Sequence, residues 1–247
     1  MRVIARLDVK NEFVIKGINF EGLRKIGDPM VIAGEYYAAG IDEIIFIDSV
    51  ASLYNRNNLF HIIRKASEQI FVPITIGGGL RSLDDVSQAL DSGADKVALN
   101  TAAIGNPQII SDVARRYGAQ CVVASVQAKR TSQGWEAYIE AGREKTGLSV
   151  PEWAQRLYDL GAGELLVTSV DQEGTKRGFD VDLIATINEA AKIPVIAGGG
   201  YGKPSDLTAL LKRTRPSAIS VATVLHYHLQ TVAQVQEAAS QAPAGAP

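Results

Sequence analysis

The stretch "VPITIGGGLRSLDDVSQALDSGADKVALNTA" (72–102) holds one complete unit of strand, helix and strand. A β-branched run meets three glycines, Ser82 precedes an amphipathic stretch that ends near Gly93, and a second β-branched run follows. Serine before an apolar period of about 3.6 residues and glycine after it are typical helix boundaries. Strands that alternate with helices in this way lie parallel in one sheet. The stretch therefore predicts an α/β fold with a parallel sheet.

The same unit recurs as "IPVIAGGGYGKPSDLTALLKRTRPSAISVAT" (193–223), and its glycine triplet lies 121 residues after the first one. "GIDEIIFIDS" (40–49) and "GAGELLVTSV" (161–170) match at the same offset. An internal repeat of this length covers half of the chain. It predicts two similar halves of four strand–helix units each.

The remaining apolar runs complete a set of eight strand candidates, with helical patterns between them. The predicted strands are 3–8, 43–48, 73–77, 96–100, 121–127, 164–169, 194–198 and 218–222. At 247 residues, a closed (β/α)8 TIM barrel fits this alternation better than an open sheet. We expect a single barrel over residues 1–240, built from two half-barrels, and a disordered tail over 241–247.

Composition excludes several classes of function. The formal net charge is -2, which gives no basic surface for nucleic acid or for a membrane. The single cysteine forms no disulfide framework and no CxxC metal motif, so we expect neither a metal nor another cofactor. No apolar run approaches the roughly 20 residues that span a bilayer, and the first residues do not resemble a signal peptide. We therefore expect a cytoplasmic protein.

Each half carries a candidate phosphate site. The triplets 77–79 and 198–200 each end a strand and precede a helix, and Thr101 and Thr223 follow the next strands. Glycine lets a ligand approach the backbone, and helix N-terminal N–H groups attract anions. Tight turns alone are the alternative explanation for the glycines. Two phosphate sites indicate a ligand with phosphate at both ends, or a large ligand anchored at one.

Polar residues gather where the predicted strands end, the face on which such barrels build active sites. Asp8 and Gln127 end the first strand of each half and would face each other across the barrel mouth. Asp8 is a candidate general acid or base, and Lys10 would keep it ionised. Asp48 ends the second strand.

Two long loops, 9–28 and 128–148, follow the strands that end in Asp8 and Gln127, and the second loop has the alternation of a hairpin. Long loops at this face are usually functional. In the first, Lys16 would meet a phosphate or an anionic intermediate, or else be an ordinary solvated lysine. After the sixth strand, a polar turn forms either a ligand site or a capped loop; its residues are Asp171, Glu173, Gly174 and Thr175.

Four charges lie at the opposite end. Arg2 precedes the first strand, and Glu43, Lys96 and Glu164 begin the second, fourth and sixth. Alternate strands of a barrel contribute to one interior layer, so these side chains would meet inside the floor. The alternative is that some of them point outward into solvent. A paired ring in an otherwise apolar barrel indicates a gate.

Several motifs together resemble the cyclase subunit of imidazole glycerol phosphate synthase (HisF). They are "RLDVK", "VIKGINFEGLRKIGDP", "GIDEIIFIDSVAS", "ITIGGGLRS", "GADKVALNTAA", "GAGELLVTSVDQEGTKRGFD" and "PVIAGGG". The resemblance covers about residues 2–235. It implies a (β/α)8 barrel that forms a heterodimer with a HisH-like glutaminase at the barrel floor. Ammonia would enter there, past a gate formed by Arg2, Glu43, Lys96 and Glu164.

The resemblance also implies a substrate and its site. The family cyclises a bisphosphorylated formimino-ribulosyl aminoimidazole carboxamide ribonucleotide with ammonia, which yields imidazole glycerol phosphate and an aminoimidazole ribonucleotide. One phosphate site would consist of Gly79, Asn100 and Thr101, and the other of Gly174, Gly200, Ala222 and Thr223. Lys16 and Asp48 match positions near the bound substrate, and Glu173 would join them although the family has an aspartate there.

Three departures lie at the mouth. The family has a second catalytic aspartate where this chain has Gln127, "PCLD" where it has "ARLD" with Arg6, and "DxDGT" where it has "DQEGT". Loss of one proton-transfer group typically costs about 10²- to 10⁴-fold in rate. "RVIARLDVK", "EGLRKIGDP" and "ASLYNRNNL" are more similar to a paralogous branch, which is associated with sugar amidation for surface polysaccharide.

These motifs and departures predict that the chain is a relative of the cyclase family that delivers ammonia for sugar amidation. The alternative is the cyclase of histidine biosynthesis, and a third possibility is a scaffold that only activates the glutaminase. The identity of the ammonia acceptor stays open at this stage.

Overall fold

A computed structural model describes residues 1–49 and 59–241. Most of the "ASLYNRNNL" motif and all but the first residue of the predicted tail lie outside the described residues. No helix in the described ranges is long and apolar enough to cross a membrane.

Eight parallel strands close into a barrel, which confirms the predicted fold. In chain order they are β1 (Arg2–Lys10), β4 (Glu43–Asp48), β5 (Ile74–Gly77), β6 (Lys96–Leu99), β7 (Val122–Thr131), β10 (Glu164–Ser169), β11 (Val195–Gly198) and β12 (Ala218–Val221). Each strand pairs with its neighbours in this order, and β12 pairs with β1 to close the ring. The two halves meet where β6 pairs with β7 and where β12 pairs with β1.

Helices cover the outside of the barrel. They are α1 (Pro29–Ala38), α2 (Phe60–Gln69), α3 (Leu83–Asp91), α4 (Thr101–Gly105), α5 (Gln108–Tyr117), α6 (Val150–Asp159), α7 (Val181–Ala190), α8 (Pro204–Arg213), α9 (Thr223–His226) and α10 (Val232–Ser240). Ser82 caps α3 as predicted, because its hydroxyl accepts from the Asp85 N–H and the Asp85 carboxylate accepts from the Ser82 N–H.

Antiparallel ribbons replace the two predicted loops. After β1, the chain forms β2 (Phe13–Ile18) and β3 (Glu21–Gly27), and after β7 it forms β8 (Gly134–Ile139) and β9 (Glu144–Ser149). The pairs Val9↔Val14 and Gln127↔Tyr138 lie on the side of each strand where β1 no longer pairs with β12 and β7 no longer pairs with β6. The predicted hairpin is therefore confirmed. The prediction that Asp8 and Gln127 end their strands is wrong, because both strands continue into the ribbons.

The barrel interior is layered. Inward residues of a strand recur every second position, and on β1 these are Arg2, Ile4, Arg6 and Asp8. An apolar cluster, separate from the large core beneath the helices, fills the middle of the barrel. This inner apolar layer consists of Ile4, Ile45, Ala98, Val123, Leu166, Ile196 and Ala218. It divides a charged floor from a polar mouth.

Candidate active site at the barrel mouth

Asp8 is buried at the mouth between two cations. The Nε of Arg6 donates to its Oδ1 at 2.9 Å, and the Nζ of Lys16 lies 3.7 Å from its Oδ2. Burial raises the pKa of Asp8, but the charges of Arg6 and Lys16 outweigh burial and leave the pKa lowered. Asp8 is therefore a carboxylate at neutral pH. The predicted partner Lys10 is exposed at the end of β1, so assigning it that role was wrong.

Lys16 joins the polar turn to Asp8. Its ammonium group forms an ion pair with Glu173, and the Asn19 N–H on the same ribbon donates to the Glu173 carbonyl at 2.7 Å. Lys16 is only 3% exposed, so the solvated-lysine alternative is wrong. Lys16, Asp8 and Glu173 line one cavity. The buried lysine therefore places a positive charge on the wall of that cavity, beside two carboxylates.

The first predicted phosphate site lies in a cavity of about 290 Å³. We call this cavity the first cradle; its predicted residues are Asp48, Gly79, Asn100, Thr101 and Gln127. Thr101 begins α4, directly after β6. The Asn100 Oδ1 is buried and has no hydrogen-bond partner in the part of the chain that the structure describes. Such an unpaired acceptor points to a donor group on a ligand.

The second predicted site is a smaller cavity of about 20 Å³. This second cradle includes Glu173, Gly174, Gly200, Ala222 and Thr223. It is also lined by Ser220, whose buried Oγ has no partner among the described residues. Sequence analysis missed Ser220. Its position two residues before Ala222 could have revealed it, since alternate residues of β12 face the same side.

The turns that form the cradles require glycine. Gly78 has φ +90°, and a Cβ there would lie 2.2 Å from the Asp48 carbonyl oxygen. Gly200 has φ +102°, and a Cβ there would lie 2.0 Å from the Gly178 carbonyl oxygen. Any side chain at these two positions would meet backbone, which cannot yield as a flexible side chain can.

Gln127 borders the first cradle and also forms a hydrogen bond with the turn after β8. Its Oε1 accepts from the Gly142 N–H at 2.7 Å, which fixes the turn between β8 and β9. An amide at this position can orient a ligand but cannot exchange protons at neutral pH. The two pseudo-equivalent positions, Asp8 and Gln127, therefore differ in chemistry: a carboxylate can accept a proton and an amide cannot.

At the floor, the four predicted charges form one ring. Arg2 forms ion pairs with Glu43 and Glu164, and the Nζ of Lys96 lies 3.3 Å from Glu43 Oε2 and 2.7 Å from Glu164 Oε2. The alternative of outward-pointing, separately solvated charges is wrong. We call this set the floor ring. Its role as a gate stays a prediction.

Sequence analysis also missed His226, which lies behind the mouth on α9. Its Nδ1 is 2.7 Å from the Tyr36 hydroxyl oxygen, and its Nε2 is 3.1 Å from the Arg6 carbonyl oxygen. Burial and the nearby charge of Lys16 lower the pKa of His226 to about 4. The ring is thus neutral, with Nε2–H donating to the carbonyl and Nδ1 accepting from Tyr36. These bonds tie α9, beside the second cradle, to β1 and to α1.

A larger cavity of about 1180 Å³ lies outside the second cradle. This outer cavity shares Gly174 and Thr223 with the second cradle and is lined by four cations without an ion pair among the described residues: Arg24, Lys129, Arg143 and Lys176. Within the described ranges, Glu21 is the single acid in its lining. The outer cavity therefore presents a positive surface to incoming anions.

The fold and this geometry define a (β/α)8-barrel protein with a candidate active site at the carboxyl ends of its strands. Residues 2–231 match the family model described as histidine biosynthesis protein. The chain is also similar to a protein of Legionella pneumophila named imidazole glycerol phosphate synthase subunit HisF. The two are 55% identical over 204 residues, which is 82% of this chain and 96% of the relative.

The chain therefore belongs to the histidine biosynthesis protein family, and it is a HisF-like synthase subunit. Neither comparison shows that the chain belongs to the sugar-amidation branch of the family.

Proposed function

We propose that this chain is the ammonia-accepting synthase subunit of a glutamine-dependent pair and that it acts on a bisphosphorylated substrate. The observation that carries the proposal is the alignment of three features along one barrel. The floor ring lies at one end of the barrel axis, and the inner apolar layer lies in the middle. Asp8 lies at the mouth, between the two cradles. An apolar interior suits the passage of neutral ammonia, since it disfavours the ammonium ion.

The reaction that we propose is the cyclase step of imidazole glycerol phosphate synthase. The relative's name supports this reaction, which the sequence analysis held as the alternative, over sugar amidation. Asp8 would act as the general base, because its two cations keep it ionised. Gln127, Asn100 and Ser220 would orient the substrate between its two phosphates.

The partner that we propose is a HisH-like glutaminase that docks on the barrel floor. The floor ring would then lie between the two active sites, with Arg2 at the surface and both glutamates buried. Its four ion pairs would have to rearrange for ammonia to pass, which makes it a gate.

One observation favours sugar amidation as a second candidate. Of the two pseudo-equivalent positions at the mouth, position 8 carries a carboxylate, which is bound to Arg6, while Gln127 stands where a second proton-transfer group would be. Addition of ammonia to an already activated amide carbon would need less acid–base work than cyclisation. The second candidate thus explains the amide but requires an activating ligase.

The test is to assay the purified chain with ammonium chloride and the bisphosphorylated formimino-ribulosyl substrate. We expect imidazole glycerol phosphate to form, and Asp8→Asn to lower the rate by about 10²-fold or more because the base is lost. Asp84→Asn, an exposed carboxylate on α3, serves as the matched control and should keep the full rate.

Gln127→Asp separates the two candidates. If the unchanged chain forms no product but Gln127→Asp does, the result supports sugar amidation, the second candidate. If neither forms product while both bind the substrate, the cyclase reading is overturned.

A further inference from the structure

The proposed function uses Arg6 only as a counter-ion of Asp8, and the rest of its guanidinium has no role there. On β1, Arg6 follows Ile4 of the inner apolar layer and precedes Asp8, so its side chain lies where the barrel axis meets the mouth. It is 6% exposed. A buried guanidinium at this depth stays charged and needs partners for its five N–H donors.

Three contacts hold the guanidinium in place. The Nε donates to Asp8 Oδ1 at 2.9 Å, and Nη1 donates to Thr168 Oγ1 at 3.1 Å. The Cζ lies 5.5 Å from the centroid of the Phe20 ring. Within residues 1–49 and 59–241, the hydrogen bonds of this side chain come from Nε and Nη1 and none comes from the other terminal nitrogen, Nη2. Donors therefore remain for a ligand.

Position decides which part of a ligand these donors reach. Among the residues that the structure describes, Arg6 alone lines both the first cradle and the second cradle. A ligand with one phosphate in each cradle must pass across its guanidinium. The group that it meets is then the middle of the ligand, not either phosphate.

We propose that Arg6 is a specificity-determining residue that selects bisphosphorylated ligands with a carbonyl or carboxylate oxygen between the two phosphates. Asp8 and Thr168 hold the guanidinium, and its free terminal N–H groups donate to that oxygen. The proposal rests on the proposed function in one respect, namely that a ligand spans both cradles.

A purely structural role would be to neutralise Asp8. Lys16 already lies 3.7 Å from the second oxygen of that carboxylate, so a cation is present without Arg6. A structural role predicts that a change at Arg6 weakens every ligand alike. A selective role predicts that only ligands with a central oxygen are affected.

The experiment measures binding of three probes by calorimetry: inorganic phosphate, 1,5-pentanediol bisphosphate and ribulose 1,5-bisphosphate. The last two have carbon chains of the same length, but only the sugar has a carbonyl between its phosphates, at C2, and it also has two hydroxyl groups, so the Arg6 variant below isolates the part of the preference that depends on the guanidinium. We expect the chain to bind the sugar bisphosphate about tenfold more tightly than the pentanediol, the typical effect of one hydrogen bond to a charged group.

Arg6→Lys keeps the charge but loses the planar fork. It should lower this preference to about twofold or less, and it should leave pentanediol bisphosphate affinity within about threefold. Circular dichroism and thermal unfolding check that the variant folds. If Arg6→Lys does not fold, Thr168→Val tests the proposal in its place. Thr168→Val removes the hydrogen bond that holds Nη1 and should reduce the same preference.

Two results overturn the proposal: no preference in the unchanged chain, or a preference that Arg6→Lys and Thr168→Val leave intact. Failure of the proposed function looks different. In that case inorganic phosphate and both bisphosphates would fail to bind the unchanged chain, whatever stands at position 6.

Discussion

At the scale of single residues, the mouth shows how far sequence spacing identifies a site. The internal repeat correctly pairs Asp8 with Gln127 as equivalent positions on β1 and β7. It does not identify the partners of Asp8, because Arg6 and Lys16 reach it from two different strands. Lys10 is nearer in sequence than Lys16, but it lies on the exposed end of β1. Burial, which sequence spacing does not report, decides which cation matters.

His226 offers a residue-scale prediction about pH. Its pKa is about 4 in the fold against an ordinary 6.5, so the unfolded chain binds more protons between these values. Stability contributed by the neutral ring is therefore fully present above about pH 6.5 and is lost as the pH falls toward about 4. At about 1.4 kcal/mol per pKa unit, the loss is roughly 3 kcal/mol over that window. Urea unfolding at pH 7, 5.5 and 4.5 measures it.

The matched variants are His226→Gln and His61→Gln. Glutamine at position 226 can still donate to Arg6 and accept from Tyr36, but it does not titrate, so the stability slope between pH 7 and 4.5 should become shallower. His61 is exposed on α2, and its variant should keep the original slope. Equal slopes in the chain and in His226→Gln would show that the ring is not the titrating group.

At the scale of elements, the barrel strands were predictable and the ribbons were only partly so. Buried strands such as Val195–Gly198 are continuous apolar runs, which gives a clear signal. The strand Glu21–Gly27 is mostly exposed on both faces and has no alternation to detect. The strand β8 keeps alternation in its sequence, because Trp135, Ala137 and Ile139 lie on one face and Glu136 lies on the other. The first ribbon was therefore predicted as a loop and the second as a hairpin.

The turn between β11 and α8 carries an element-scale prediction. Gly200→Ala would place a methyl group 2.0 Å from the Gly178 carbonyl oxygen, at a φ of +102° that alanine rarely adopts. The two turns must then separate, and the second cradle opens. We expect affinity for inorganic phosphate at that cradle to fall by about tenfold or more, since backbone strain of this kind costs roughly 1–3 kcal/mol.

Gly34→Ala is the control for that change. A methyl group at Gly34 on α1 would meet nothing within 4 Å, and alanine favours a helix, so binding should not change. Phosphate titration followed by nuclear magnetic resonance would separate the two cradles. Equal losses at both cradles in Gly200→Ala would indicate general unfolding and contradict the local explanation.

At the scale of the whole molecule, the layers of the barrel explain why the floor was easier to predict than the mouth. The floor ring comes from residues that begin β4, β6 and β10, so strand starts alone bring Glu43, Lys96 and Glu164 to one level. The mouth combines strand ends, ribbons and short helices from many parts of the chain. Their relative positions depend on tertiary packing, which leaves no periodic trace in the sequence.

The floor ring gives a prediction that involves the whole assembly. Glu164→Gln keeps the shape of the side chain but removes the charge that pairs with Arg2 and Lys96. Removal of one partner leaves a partly buried cation uncompensated. With a HisH-like glutaminase bound, we expect glutamine-dependent synthesis to fall several-fold more than synthesis from ammonium chloride. Equal losses in the two assays would place the effect at the mouth and contradict a gate.

The charge of the outer cavity leads to a prediction about salt. The chain as a whole has a net charge of -2, yet the outer cavity collects four cations without ion pairs among the described residues. A concave surface of one sign concentrates oppositely charged ligands, and salt screens the effect over a Debye length of about 10 Å at 0.1 M. We therefore expect affinity for a bisphosphate to fall several-fold between 50 and 200 mM potassium chloride.

The double variant Lys129→Gln/Lys176→Gln should flatten this salt dependence, because it removes half of the unpaired cations of the outer cavity. Lys192→Gln/Lys212→Gln changes the net charge by the same amount at exposed positions near the ends of α7 and α8, which lead back to the floor. That pair should keep the original dependence. If both pairs flatten it equally, net charge steers the ligand. If only Lys129→Gln/Lys176→Gln flattens the salt dependence, anions enter through the outer cavity. The route to the two cradles then begins among the residues of the ribbons and not at the barrel strands.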